Sequence, residues 1–167
     1  MRVDDTLAYL TGAWALERRI ADRLTGEPGS FRGGGRLRTM GRRGRYEERG
    51  RLRLGGHETS AYRILEMIGG DDGRVAVRFA DGRRFFDLDL RTGACRAVHP
   101  CSPDRYELEF RVCSSDLLIE RWRVSGPAKD YEAETLWRRL PLSPDRPWPG
   151  RPGEAPDGAQ PDPSARR

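Results

Sequence analysis

Lysine is almost missing from this chain. Lys129 is the only one, against a total of 31 basic residues. Cysteine is scarce as well, and its three copies (Cys95, Cys101 and Cys113) are an odd number with no C-x-x-C spacing. That excludes a disulfide framework and a cysteine-based zinc site, so no metal is expected. No apolar run approaches the roughly 20 residues that span a bilayer. The opening Met1-Arg2-Val3-Asp4-Asp5 has no apolar signal core. A soluble cytoplasmic protein with no membrane partner is the expectation. Gly33-Gly34-Gly35 lacks the G-K-[ST] ending of a phosphate loop, and no helical pattern follows it. It reads instead as a place where a strand bends.

The net charge is +5 with a pI near 9.5, which raises nucleic acid as a partner. Two observations argue against it. The use of Arg in place of Lys, with much Gly, Ala, Pro and Asp, reads as codon composition. The arginines also alternate with acids along the strands, as on a solvated face.

What the chain does contain is period-two alternation. After a short helix near Asp4–Leu10, capped by Asp4 or Asp5, strand one puts Trp14, Leu16, Arg18 and Ile20 on one face. Arg18 stands out as a cation on a buried face. It sits near a barrel mouth and snorkels, or it needs an acid from a ligand or from the protein, where Glu120 falls in phase. Further strands follow at 31–40, 45–54 and 60–68. The next two form a hairpin about Asp81-Gly82, with Val77 opposite Phe86 and Val75 opposite Leu88. A short strand at 95–98 precedes strands at 106–113, 117–125 and 131–140. In strand three Tyr46, Glu48 and Leu52 share a phase; in strand four Tyr62, Ile64, Glu66 and Ile68 do.

Ten short antiparallel strands with tight turns predict an all-β, closed up-and-down barrel over residues 4–140, wide enough for an internal cavity. Residues 141–167 are rich in Pro and Gly and cannot bury a core, so a disordered tail is expected there.

The opening Gly12-Ala13-Trp14 resembles the start of lipocalin and fatty-acid-binding (calycin) barrels. That resemblance implies a structural role for Trp14, packed across the barrel floor against an arginine late in the last strand, Arg138 or Arg139. The connection lengths are nearer to the nitrobindin-type variant, without its haem motif. Trp14-x-Leu16-x-Arg18, His99-x-Cys101-x-x-Asp104-x-Tyr106 and Trp122-x-Val124-x-Gly126-Pro127-x-Lys129-Asp130-Tyr131, with Thr135, resemble an uncharacterised bacterial family, domain of unknown function 6314. This likeness covers about residues 7–140 and implies a lipocalin-like fold with no known activity.

Alternating strand direction brings the loops at 99–106 and 126–131 to one end, the expected mouth. The candidate ligand-binding residues are Arg18, His99, Cys101, Asp104, Tyr106, Trp122, Lys129 and Tyr131. The favoured reading is a small amphipathic or anionic ligand held inside the barrel, with no cofactor and a monomer or homodimer as the assembly. Three alternatives stay open. One is an enzyme with His99 as base, Cys101 as nucleophile and Asp104 orienting the imidazole. Another is haem or metal held by His99 with Cys101 or Cys95. The third is a protein-interaction barrel using its Arg-rich face and tail.

Overall fold

The computed structural model describes residues 1–141 and the backbone of Gln160–Pro161. The Pro/Gly-rich segment expected to be disordered, Trp148 included, otherwise lies outside the described residues.

Ten antiparallel strands form a nearly closed barrel. They are β1 (Gly12–Asp22), β2 (Pro28–Met40), β3 (Arg43–Leu54), β4 (His57–Gly69), β5 (Val75–Phe79), β6 (Arg84–Leu88), β7 (Ala94–Cys101), β8 (Asp104–Ser114), β9 (Leu117–Gly126) and β10 (Lys129–Arg139). The hydrogen-bonded order is β6-β5-β4-β3-β2-β1-β10-β9-β8-β7. The first and last strands of the barrel therefore pair, with Trp14 opposite Arg139. The ladder ends at a seam between β6 and β7. Across it the imidazole Nδ1 of His99 meets the carbonyl oxygen of Phe85 at 2.9 Å, and the Asp89 amide donates to the Cys95 sulfur at 3.4 Å. Gln160–Pro161 adds a short parallel pairing to β4 at Ala61 and Tyr62.

One helix, α1 (Thr6–Leu10), plugs the end opposite the mouth. Asp5 caps it by accepting from the Ala8 amide at 2.8 Å. The Thr6 hydroxyl accepts from the Leu90 amide, and the Tyr9 hydroxyl donates to the Ser114 carbonyl. These bonds fix the plug to both halves of the barrel.

The glycines of β2 and β3 let two aromatic rings lie flat on the wall. Gly33 faces Gly50. A Cβ on Gly33 would fall 2.1 Å from the Arg49 carbonyl oxygen, and one on Gly50 would fall 2.6 Å from the Phe31 ring. At Gly35 an added Cβ would strike the Tyr46 hydroxyl at 2.5 Å. The register passes through them without a bulge, so they serve close approach and curvature.

Two local expectations need correcting. β7 continues through Pro100 to Cys101, so only Ser102-Pro103 separates it from β8. A proline is tolerated there because β7 is the edge at the seam, where a missing donor leaves no ladder bond unmade. The β5–β6 hairpin keeps Val75–Leu88 and Val77–Phe86 but shifts register at Val77/Arg78, so the turn is longer than Asp81-Gly82 and the Phe79 amide donates to the Arg83 carbonyl at 2.9 Å. That shift turns both Phe85 and Phe86 into the core, whereas strict alternation would expose one of them. In β4 the inward phase is Ala61, Arg63, Leu65 and Met67, leaving Tyr62, Ile64, Glu66 and Ile68 on the other face.

Candidate functional site

At the closed end Trp14 is wholly buried. Its indole N–H donates to the Leu10 carbonyl at 2.9 Å, which satisfies the end of α1. Arg139 is the arginine that reaches it, since its parity on β10 points inward while Arg138 is exposed. The Arg139 guanidinium lies 4.1 Å from the Trp14 ring centroid and donates to the carbonyls of Thr11 and Tyr9 at 2.9 and 2.5 Å. This end is sealed.

Midway up the barrel lies a set of charges. The Glu48 and Glu120 side chains are almost inaccessible, and they are threaded by Arg18 and Arg63. Arg18 bonds Glu48 at 3.1 Å, approaches Glu120 at 3.8 Å and donates from Nε to the Thr135 hydroxyl at 2.8 Å. Arg63 donates to Glu48 at 2.8 Å. Tyr46 donates to Glu48 at 3.0 Å, and the indoles of Trp122 and Trp137 donate to the two oxygens of Glu120 at 2.6 and 2.9 Å. The two guanidinium and two carboxylate groups balance. Every carboxylate oxygen is met, which is the condition under which charges survive burial. Burial alone would raise the Glu48 pKa. The Arg18 and Arg63 charges, with hydrogen bonds from Arg18 and Tyr46, overcome it and hold the carboxyl at about 2.

A carboxyl depressed from 4.5 in the unfolded chain to about 2 in the fold adds stability that is fully present above pH 4.5. This contribution is lost as the pH falls towards 2 and amounts to about 3 kcal/mol. Melting temperatures recorded across that range will fall steeply. In Glu48→Gln the same decline will be shallower, and an unchanged slope would rule this carboxyl out as its source.

Above the charges the barrel opens into a cavity of about 240 Å³. Ile20, Phe31, Leu52, Tyr131 and Ala133 supply apolar wall, Arg18 and Trp122 lie at the base, and Lys129 stands at the rim. Phe31 lies beside the Arg18 guanidinium, 5.2 Å from ring centroid to charge. Arg18 is more accessible than either acid, with 13% of its side chain exposed against 4% and 3% for Glu48 and Glu120. The more exposed charge of this floor is therefore cationic, although the set is neutral and Asp22 adds a carboxylate to the lining.

At the rim Lys129 bonds the Asp104 carboxylate at 2.8 Å and the Tyr106 hydroxyl at 3.0 Å. Burial works against the ammonium, yet these bonds outweigh it and raise the Lys129 pKa. The Tyr106 pKa is raised by burial, partly offset by Lys129. His99 and Cys101 share the inward face of β7, as residues two apart on a strand do. His99 packs against Phe79, Phe85 and Tyr106. A carbonyl can only accept, so its Nδ1 carries the proton given to Phe85. Burial lowers its pKa. Asp104 bonds Lys129 and His99 bonds Phe85, so the carboxylate–imidazole pairing of a general-base site is not made here. Among the described residues no group of three or more His, Cys, Asp or Glu converges as a metal site would require.

The structure thus brings Arg18, Trp122, Lys129 and Tyr131 to one cavity and Asp104 and Tyr106 to its rim. His99 lies in the aromatic seam beside them. Glu48, Glu120 and Arg63 are the site residues that the candidate set omitted. The two glutamates carried a signal, for each shares the phase of apolar neighbours.

A family model described as "Family of unknown function (DUF6314)" matches residues 10–139. No curated protein matches the sequence. Among solved structures, the S-type phycobiliprotein lyase CPES from Guillardia theta is similar in fold, with a TM-score of 0.61 at 8% identity over 86% of this chain and 95% of that one. A de novo designed fluorescence-activating β-barrel is more loosely similar, with a TM-score of 0.44 at 16% identity over 83% of this chain and all of the design. The first likeness is one of fold alone, and the second is too loose to carry an argument.

Proposed function

The chain belongs to DUF6314, a family of unknown function, and we propose that its barrel binds a small amphipathic molecule with an acceptor group, such as a carboxylate, at one end. The observation that carries this reading is a cavity with apolar walls whose most accessible floor group is the Arg18 guanidinium. An apolar body gains from the walls roughly in proportion to the area it buries. Its acceptor end finds a donor already held in place by Glu48 and Thr135, so little side-chain entropy is lost on binding. At about 240 Å³ the space falls a little short of the roughly 300 Å³ at which pockets for drug-sized molecules begin. The ligand is accordingly ring-sized or a short chain.

Titration calorimetry with medium-chain fatty acids and aromatic carboxylates tests the proposal. Binding is expected with a carboxylate preferred over the matching alcohol. Ala61→Phe, on the cavity wall, will abolish it while the melting temperature stays within a few degrees. Binding that survives Ala61→Phe, or no binding across the series, would overturn the assignment.

A further inference from the structure

The outer surface of the barrel is charged in two different ways. On the β7–β10 half, arginine and glutamate alternate and pair: Arg96 with Glu109, Arg105 with Glu107, Arg121 with Glu134 and Arg123 with Glu132. The β2–β3 half does not follow that pattern. Residues 28–54 hold nine arginines and two glutamates, and Glu48 is turned inward. This one hairpin carries +7, more than the +5 of the whole chain.

Strand parity sends these arginines outward. From β2 come Arg32, Arg36 and Arg38; from β3 come Arg43, Arg45, Arg49, Arg51 and Arg53. The register sets Arg32 directly opposite Arg51 and Arg38 directly opposite Arg45. Like charges across a ladder are destabilising, so folding alone does not favour this arrangement. Some acids are present: Glu47 bonds Arg45 and sits opposite Arg36, Glu66 sits opposite Arg45, Glu58 bonds Arg51 and Arg53, and Glu17 sits opposite Arg32. Among the described residues Arg32, Arg36, Arg38 and Arg43 have no ion-pair partner.

We propose that the outer face of β2–β3 binds the phosphodiester backbone of double-stranded nucleic acid without reading its sequence. Three features favour this partner. The cations are all arginine, whose planar fork matches phosphate with two parallel hydrogen bonds. The row from Arg43 to Arg53 spans about 33 Å at strand rise, close to the roughly 34 Å of one duplex turn. The large apolar side chain that these strands turn outward is Met40, set apart beside the turn, so the face lacks the continuous apolar surface that membrane insertion uses. The alternation of charge that argued against nucleic acid in the sequence describes β7–β10 and does not extend to this hairpin.

The test is fluorescence anisotropy of the full chain with a 24-base-pair DNA duplex of arbitrary sequence, the matching RNA duplex, and vesicles containing phosphatidylserine. At low salt the duplexes will bind, and log affinity will fall linearly with log salt. Arg32→Gln/Arg36→Gln/Arg38→Gln will weaken duplex binding at least about tenfold and flatten the salt slope by nearly three. Its melting temperature will not fall. A control of equal charge change on the other half, Arg96→Gln/Arg121→Gln/Arg123→Gln, will bind as the parent does. Equal losses in the two triple variants would reduce the effect to net charge and overturn the proposal. So would vesicle binding without duplex binding, or no binding to either. A preference between DNA and RNA identifies the source of the phosphodiester and leaves the surface assigned.

Discussion

Glu48→Met will destabilise the protein by about 3–5 kcal/mol, measured by urea denaturation with the slope of the transition unchanged. The carboxylate receives Arg18, Arg63 and the Tyr46 hydroxyl together. Removing it leaves two guanidinium groups in the barrel interior with Glu120 as the neighbouring acid. Most of the cost is the burial of charge that has lost its counterion. The double variant Glu48→Met/Arg63→Met removes one charge of each sign and fills the space with apolar atoms. Its stability should exceed that of Glu48→Met, because a buried pair replaced by packed hydrophobic groups is often neutral or better. The cycle with Arg63→Met should yield a coupling of about 1–3 kcal/mol. A cost for Glu48→Met below about 1 kcal/mol, the range of an exposed pair, would mean that water reaches this carboxylate.

Trp14→Ala is the other large effect, expected to cost about 3–5 kcal/mol. The ring is wholly buried and touches the plug, the last strand and the core together. It sits 5.7 Å from Tyr9 and 6.1 Å from Trp137, with the Arg139 guanidinium over its face. Its loss leaves a cavity under α1, an unmet carbonyl on Leu10, and an Arg139 with only the more distant Tyr9 ring for cation–π contact. Trp14→Phe keeps a ring for Arg139 and gives up only the indole bond and some volume, so it should recover more than half of the loss. Equal losses in the two variants would place the whole effect in the bond to Leu10.

The barrel was legible because alternation is a direct consequence of a wall with one wet face. Trp14, Leu16, Phe110 and Val124 could face only inward. Glu48 and Glu120 could be read on the same ground. Arg63 could not, since both phases of β4 carry large apolar residues and periodicity does not decide between Ile64 and Leu65. Phe85 and Phe86 defeat alternation for another reason: two adjacent aromatics can both be buried only through a register shift, which is a property of the pair of strands and not of either alone. The choice between Arg138 and Arg139 needed the parity of β10. The two kinds of outer face were in the sequence throughout, as the arginines of 28–54, but averaging over the chain concealed them.

The position of the seam also bears on how quickly the barrel forms. Nine ladders join the ten strands, and eight of them link neighbours in the chain. The ninth, β1 to β10, spans more than a hundred residues. Two sequential meanders, β1–β6 and β7–β10, are thus free to form from local contacts, and one late loop closure joins them. Long-range closure is the slow element of such topologies. If the chain began at β7, with its present ends joined, the same barrel would become a single meander of local pairs. The slow step is therefore the one ladder, β1 to β10, that joins the two meanders.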